Sequence, residues 1–242
     1  MASLIKKYIF VHGLGLSSTI WDPISKFMPT ALIIANDLPG HGLGPRVGYD
    51  FASLWNYIEN LVPKEEWQSS VLILHSMAGA LMPEILASSV KPSSIVLLEG
   101  NVIDSDSKFS HYISKLDIHS YDEYLLRLRR NAAMVLRSHL VGEYESYDLN
   151  YWSKGFTEVD AIALRQIASN LFKRTKSGSI ALALQKISCP VLYLRGAQSE
   201  SWDDGRKLLS HLKVPVFDIE DAGHYPMIDN PKLTSEIIML NS

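Results

Sequence analysis

Apolar residues fall in short runs along this chain, at Tyr8–Val11, Ala31–Ala35, Val71–Leu74, Ile95–Leu98, Val191–Leu194 and Val216–Ile219. Each run is four or five residues long and lacks clear polar alternation, the pattern of strands buried on both faces of a parallel sheet. Between several of them the apolar spacing turns helical, at Phe51–Leu61, Met77–Ala87, Asp204–Leu212 and Pro231–Leu240. Strand, helix and strand in repetition predict an α/β fold, a mostly parallel sheet covered on both sides.

The rhythm breaks between Ile103 and Ser179, where no strand is evident but two long helical patterns are. The first, "SYDEYLLRLRRNAAMVLRSHL", offers Ser120 as N-cap with Glu123 three residues on, a capping-box spacing. The second is "VDAIALRQIASNLFKRT". This predicts a core of residues 1–102 and 180–242 with a helical cap, 103–179, inserted after a strand end. Ligands of open α/β sheets bind at the carboxyl ends of strands, so such an insertion can cover a site there. No repeat, low-complexity tract or linker divides the chain.

The 242 residues are 47% hydrophobic and 20% charged, enough to bury a sizeable core. A formal charge of −3 argues against nucleic acid or an anionic membrane as main partner. The N-terminal "MASLIKKYIFVHG" is too short for a signal peptide, and no apolar run is long enough to span a membrane. The single cysteine, Cys189, precludes an intrachain disulfide and reads as packing. Together these suggest a cytoplasmic protein, monomer or homodimer.

Ser76, in "LILHSMAG", stands at a corner between strand and helix. Such a corner can hold a serine in a strained conformation with its hydroxyl exposed as a nucleophile, usually as G-x-S-x-G. Here Leu74 and Ala78 replace the two glycines, and Gly79 follows one position late. Pro83 is a second irregularity, falling where the helix should continue. A serine needs a base, and His224, in "DAGHYPMIDNP" after the last strand, can reach back to it. The loop His12-Gly13-Leu14-Gly15 follows the first strand. The backbone N–H groups of Leu14 and Met77 are the candidate oxyanion donors.

With "VHGLG…W", "DLPGHG", "HSMAG" and "AGHYPMIDNP" in this order and spacing, the chain resembles the α/β-hydrolase superfamily over nearly its whole length. The resemblance implies the α/β-hydrolase fold, a helical cap after the family's sixth strand, and a Ser-His-acid triad. The family's first two strands would be short or absent. In most of the family the acid follows the strand read here as Val191–Leu194, in a pattern like G-x-x-D. This chain has Gly196-Ala197-Gln198-Ser199-Glu200, with Ser199 at the acid's position, Glu200 one late, and Asp203 and Asp204 later still. A second family placement, at the end of the preceding strand, falls on Glu99 in "SIVLLEGN". Glu99 is the first candidate and Glu200 the alternative.

His12, Gly13 and Asn101 are candidate substrate contacts. His75 is expected to pack under the corner and His41 to organise a loop. His111, His119, His139 and His211 lack paired metal-ligand spacing, so neither metal nor cofactor is expected. Trp21 and Trp202 read as packing, and Arg127–Arg130 as a solvated helix face. "GLGLSS" lacks the dinucleotide fingerprint. The expected activity is hydrolysis of an ester or related carbonyl in a small, partly apolar molecule, a carboxylesterase-like reaction. Ser76, where some relatives carry aspartate, argues against dehalogenase and soluble epoxide hydrolase chemistry. A C–C bond hydrolase, a cofactor-free peroxidase-like activity and a small-molecule sensor remain alternatives.

Overall fold

The computed structural model describes residues 6–200 and 202–241. Six parallel strands form one sheet: β1 Lys7–Val11, β2 Leu32–Ala35, β3 Ser70–His75, β4 Ser94–Leu98, β5 Val191–Gly196 and β6 Val216–Ile219. Their order is β2-β1-β3-β4-β5-β6. Every residue of β3 and β4 is buried. Each fully buried aliphatic side chain there contributes about 1.5–3 kcal/mol relative to exposure. Burial on both faces fails at the margins: in β2, Leu32 is exposed and the other three residues are half-buried, and in β6 only Ile219 is buried. Both are edge strands, with a neighbour on one side only.

The order doubles back from β1, so β1 and β3 lie side by side with β3 central. The carboxyl ends of β1, β3 and β4 therefore adjoin, as do those of β4 and β5. The expected helix at Met77–Ala87 starts as a 3-10 turn, Ser76–Leu81, and becomes α-helical only at Met82–Ala87. Pro83 thus falls in the first turn of the α-helix, where its missing N–H costs nothing.

Among the described residues no strand precedes β1 and none lies between β4 and β5. The latter interval is helical, with Lys108–Lys115, Ile118–Arg130, Ala132–Arg137, Ser146–Trp152, Lys154–Glu158 and Ala161–Lys176 in turn. The first long pattern breaks at Asn131. Its N-cap is Asp117 rather than Ser120: Asp117 accepts the Ser120 N–H at 2.9 Å and the Ser120 hydroxyl at 2.8 Å. Glu123 instead faces His119 one turn away, at 3.3 Å. Arg127 and Arg130 are solvated as expected, but Arg129 is half-buried and donates to the Val159 carbonyl at 2.9 Å. Among the described residues no helix is long and apolar enough to cross a membrane.

Candidate active site

The β3 backbone turns sharply at Ser76, which has φ of 52° although it is not glycine. Left-handed backbone at a non-glycine residue costs of order 1–3 kcal/mol and must be held by its surroundings. Two close approaches hold it. The Ser76 carbonyl accepts the Asn101 N–H at 2.8 Å, and a Cβ on Gly13 would lie 2.9 Å from the Ser76 Cβ. A Cβ on Gly79 would lie 2.9 Å from the Asn101 nitrogen. Glycine is thus required at 79, where the 3-10 turn passes the end of β4, while β3 accommodates Leu74 as a fully buried core residue.

His224 lies after β6 and its Nε2 is 3.2 Å from Ser76 Oγ. Its Nδ1 is 3.3 Å from Glu99 Oε2. Glu99 follows β4 and also has φ of 52°. Its other oxygen, Oε1, accepts the Gly196 N–H at 2.6 Å and the Ser199 hydroxyl at 2.8 Å. A side chain only 10% exposed has little water to solvate its charge, and these donors replace it. Glu200 points elsewhere: its carboxylate pairs with Lys108 and is 80% exposed. Of the two acids considered, Glu99 bonds the histidine. Ser199, at the position where most of the family carries its acid, donates to the Glu99 carboxylate.

A hydroxyl, an imidazole and a carboxylate in this order can relay a proton. Nε2 takes it from the attacking oxygen, and the carboxylate holds the tautomer and stabilises the imidazolium. The group opens into a cavity of about 440 Å³. Leu14, Met77 and Asn101 line it. Asn101 donates to the Asp106 carbonyl at 2.7 Å, which turns its Oδ1 toward Ser76 Oγ, 3.5 Å away. The helical stretch between β4 and β5 contributes Phe109, Val135, Leu140, Phe156 and Leu171 to the wall.

His12 and Gly13 do not line the cavity, a correction to their expected role as substrate contacts. His12 is fully buried; its Nδ1 donates to the Gly13 carbonyl at 2.9 Å and its Nε2 accepts the Leu38 N–H at 3.0 Å. His41 answers in reverse, accepting the Gly15 N–H at 3.0 Å and donating to the Pro39 carbonyl at 3.1 Å. The two imidazoles staple the Gly-rich loop to the 37–44 turn, and so fix the loop that carries Leu14. Burial lowers the pKa of both, that of His41 to about 3. His75 is fully buried too, and burial followed by the neighbouring His224 holds its pKa well below the usual value. Its Nε2 donates to the His224 carbonyl at 3.0 Å, so it does more than pack under the corner.

Trp202 and His139 also line the cavity, where only bland roles were expected. Trp202 stacks on Tyr193 at 4.5 Å between ring centres and donates to Asp106 at 2.6 Å. Burial raises the Asp106 carboxyl above its usual range, although backbone donors at Val102 and Ile103 and the Trp202 indole pull the other way. Trp21 is buried in the core, as read from the sequence.

A model of the alpha/beta hydrolase family matches residues 8–237. Similar solved structures include the esterase EaEST from Exiguobacterium antarcticum, at TM-score 0.73 and 14% identity, covering 97% of this chain and 91% of that one. Cfl2 from Burkholderia cenocepacia gives TM-score 0.76 and 21% identity, covering 98% and 88%. The epoxide hydrolase CorEH gives 0.75 and 16%, covering 98% and 90%. At such identities the likeness is one of fold. No curated protein matches the sequence. The sheet order, the left-handed serine after its third strand and a family match over nearly the whole chain agree: the chain belongs to the alpha/beta hydrolase family.

Proposed function

We propose that the protein is a serine hydrolase of the carboxylesterase type, with Ser76 as nucleophile, His224 as base and Glu99 as acid. The observation that carries this reading is the continuous hydrogen-bonded path from Ser76 Oγ through His224 to Glu99 at the wall of one cavity. Ser76 Oγ attacks the substrate carbonyl as His224 Nε2 takes its proton. The developing oxyanion meets the Leu14 and Met77 N–H groups; each such donor is worth about 3–4 kcal/mol in the transition state. His224 then protonates the leaving alkoxide, and water cleaves the acyl-enzyme by the same relay in reverse.

Residues 103–179 act in this reading as a cap over the core of 1–102 and 180–242. Its apolar residues Val135, Phe156 and Leu171 favour a small acyl group. The cavity lies in the usual size range for small-molecule sites. The test is hydrolysis of p-nitrophenyl esters of increasing acyl length. Acetate and butyrate should turn over with burst kinetics, long acyl chains poorly, and Ser76→Ala should fall to background. Turnover retained in Ser76→Ala would remove the proposal.

A further inference from the structure

The two oxygens of the Asp229 carboxylate face different parts of the molecule. Oδ2 accepts the Gly223 N–H at 2.9 Å. Oδ1 accepts the N–H groups of Val141 at 3.0 Å and Gly142 at 3.2 Å, and the Tyr144 hydroxyl at 2.7 Å. Four donors converge on one carboxylate, three on Oδ1 and one on Oδ2. Gly223 directly precedes His224, whose own N–H donates to the His139 carbonyl at 3.1 Å. The backbones meet so closely that a Cβ on Gly223 would lie 2.4 Å from that carbonyl oxygen. Both N–H groups at the head of the histidine loop are thus tied, one through Asp229 and one directly, to the 139–144 segment of the insertion.

We propose that Asp229 is a positioning residue that latches the His224 loop to the 139–144 segment, so that the base is in place only while that segment is docked. The proposal rests on His224 acting as base. Asp229 does not line the cavity, whereas Val141 and Gly223, whose N–H groups it accepts, do. Its loss therefore loosens the placement of the base together with the wall at Val141.

The test is Asp229→Asn, followed by steady-state kinetics on a p-nitrophenyl ester and by residue-resolved amide exchange. Hydrogen bonds to a charged group set the expected fall in kcat at about ten- to hundredfold. The diagnostic amide is that of His224, because its acceptor, His139, is untouched by the substitution; its exchange should quicken along with that of Val141 and Gly142. An unchanged His224 amide, or unchanged kcat with that amide loosened, overturns the latch. If Asp229→Asn does not fold, Tyr144→Phe removes one donor and leaves the carboxylate. It should lower kcat several-fold and quicken the same amide, and no change in either overturns the latch. The exchange measurement needs no activity, so a wild-type chain that hydrolyses nothing would refute the hydrolase reading while the latch is still decided by the His224 amide.

Discussion

Glu99 keeps one oxygen for His224 and commits the other to Gly196 and Ser199. That division fixes the carboxylate plane and leaves the free lone pairs aimed at the imidazole. Glu99→Gln keeps the shape but removes the charge that stabilises the imidazolium, so kcat should fall by about 10⁴. Glu200→Gln should change it by less than about twofold, since exposed pairs contribute little; the two rates measured side by side decide between the acids. Ser199→Ala leaves the Gly196 donor in place, so a loss of about tenfold is expected in the same assay. The pair of acid candidates came from the family resemblance, Glu99 at its second placement and Glu200 one residue past the usual one. Ser199 reads in the sequence only as a missing acid, since a hydroxyl's partner is set by the fold. The misreading of His12 has the same origin: a histidine beside glycines looks the same whether it faces the cavity or a neighbouring turn. Asp229 was quoted inside a motif yet given no role, because three of its four donors are backbone N–H groups with no side-chain signature.

Strand ends do the positioning at the next scale. β1, β3 and β4 finish at one rim, and the loops leaving them approach so closely that two glycines have no substitute. Gly79→Ala would drive a Cβ against the backbone at Asn101. Overpacking of this kind costs about 1–3 kcal/mol, readable as a lower denaturant midpoint. Gly13→Ala presses instead on the Ser76 Cβ, so activity should drop more than stability does. Central strands were readable because their runs are apolar throughout; β2 has a similar run but sits at an edge, which run length cannot reveal, while in β6 Asp218 interrupts the run. The N-cap at Asp117 was missed because Ser120 has equally suitable chemistry, and only the backbone geometry selects between them.

Across the whole molecule, buried histidines tie the rim together in their neutral form. Protonating His12 or His41 would turn the nitrogen that accepts a backbone N–H into a donor. Their pKa values are lowered in the folded state, so below about pH 6.5 the unfolded chain binds more protons and stability falls with pH. For His41, titrating at about 3 when folded, the loss continues down to that pH and amounts to about 2 kcal/mol between pH 6.5 and 5. Unfolding midpoints should be level above about pH 7 and decline below it, and His41→Gln should flatten the slope. The claim on which the chemistry depends is that Ser76 is an activated nucleophile. Treatment of the folded wild-type chain with a fluorophosphonate, followed by peptide mass mapping, tests it directly. One adduct per chain is expected, on Ser76, formed far more slowly in His224→Ala; an unmodified Ser76, or an adduct on another serine, would overturn the assignment of Ser76 as nucleophile.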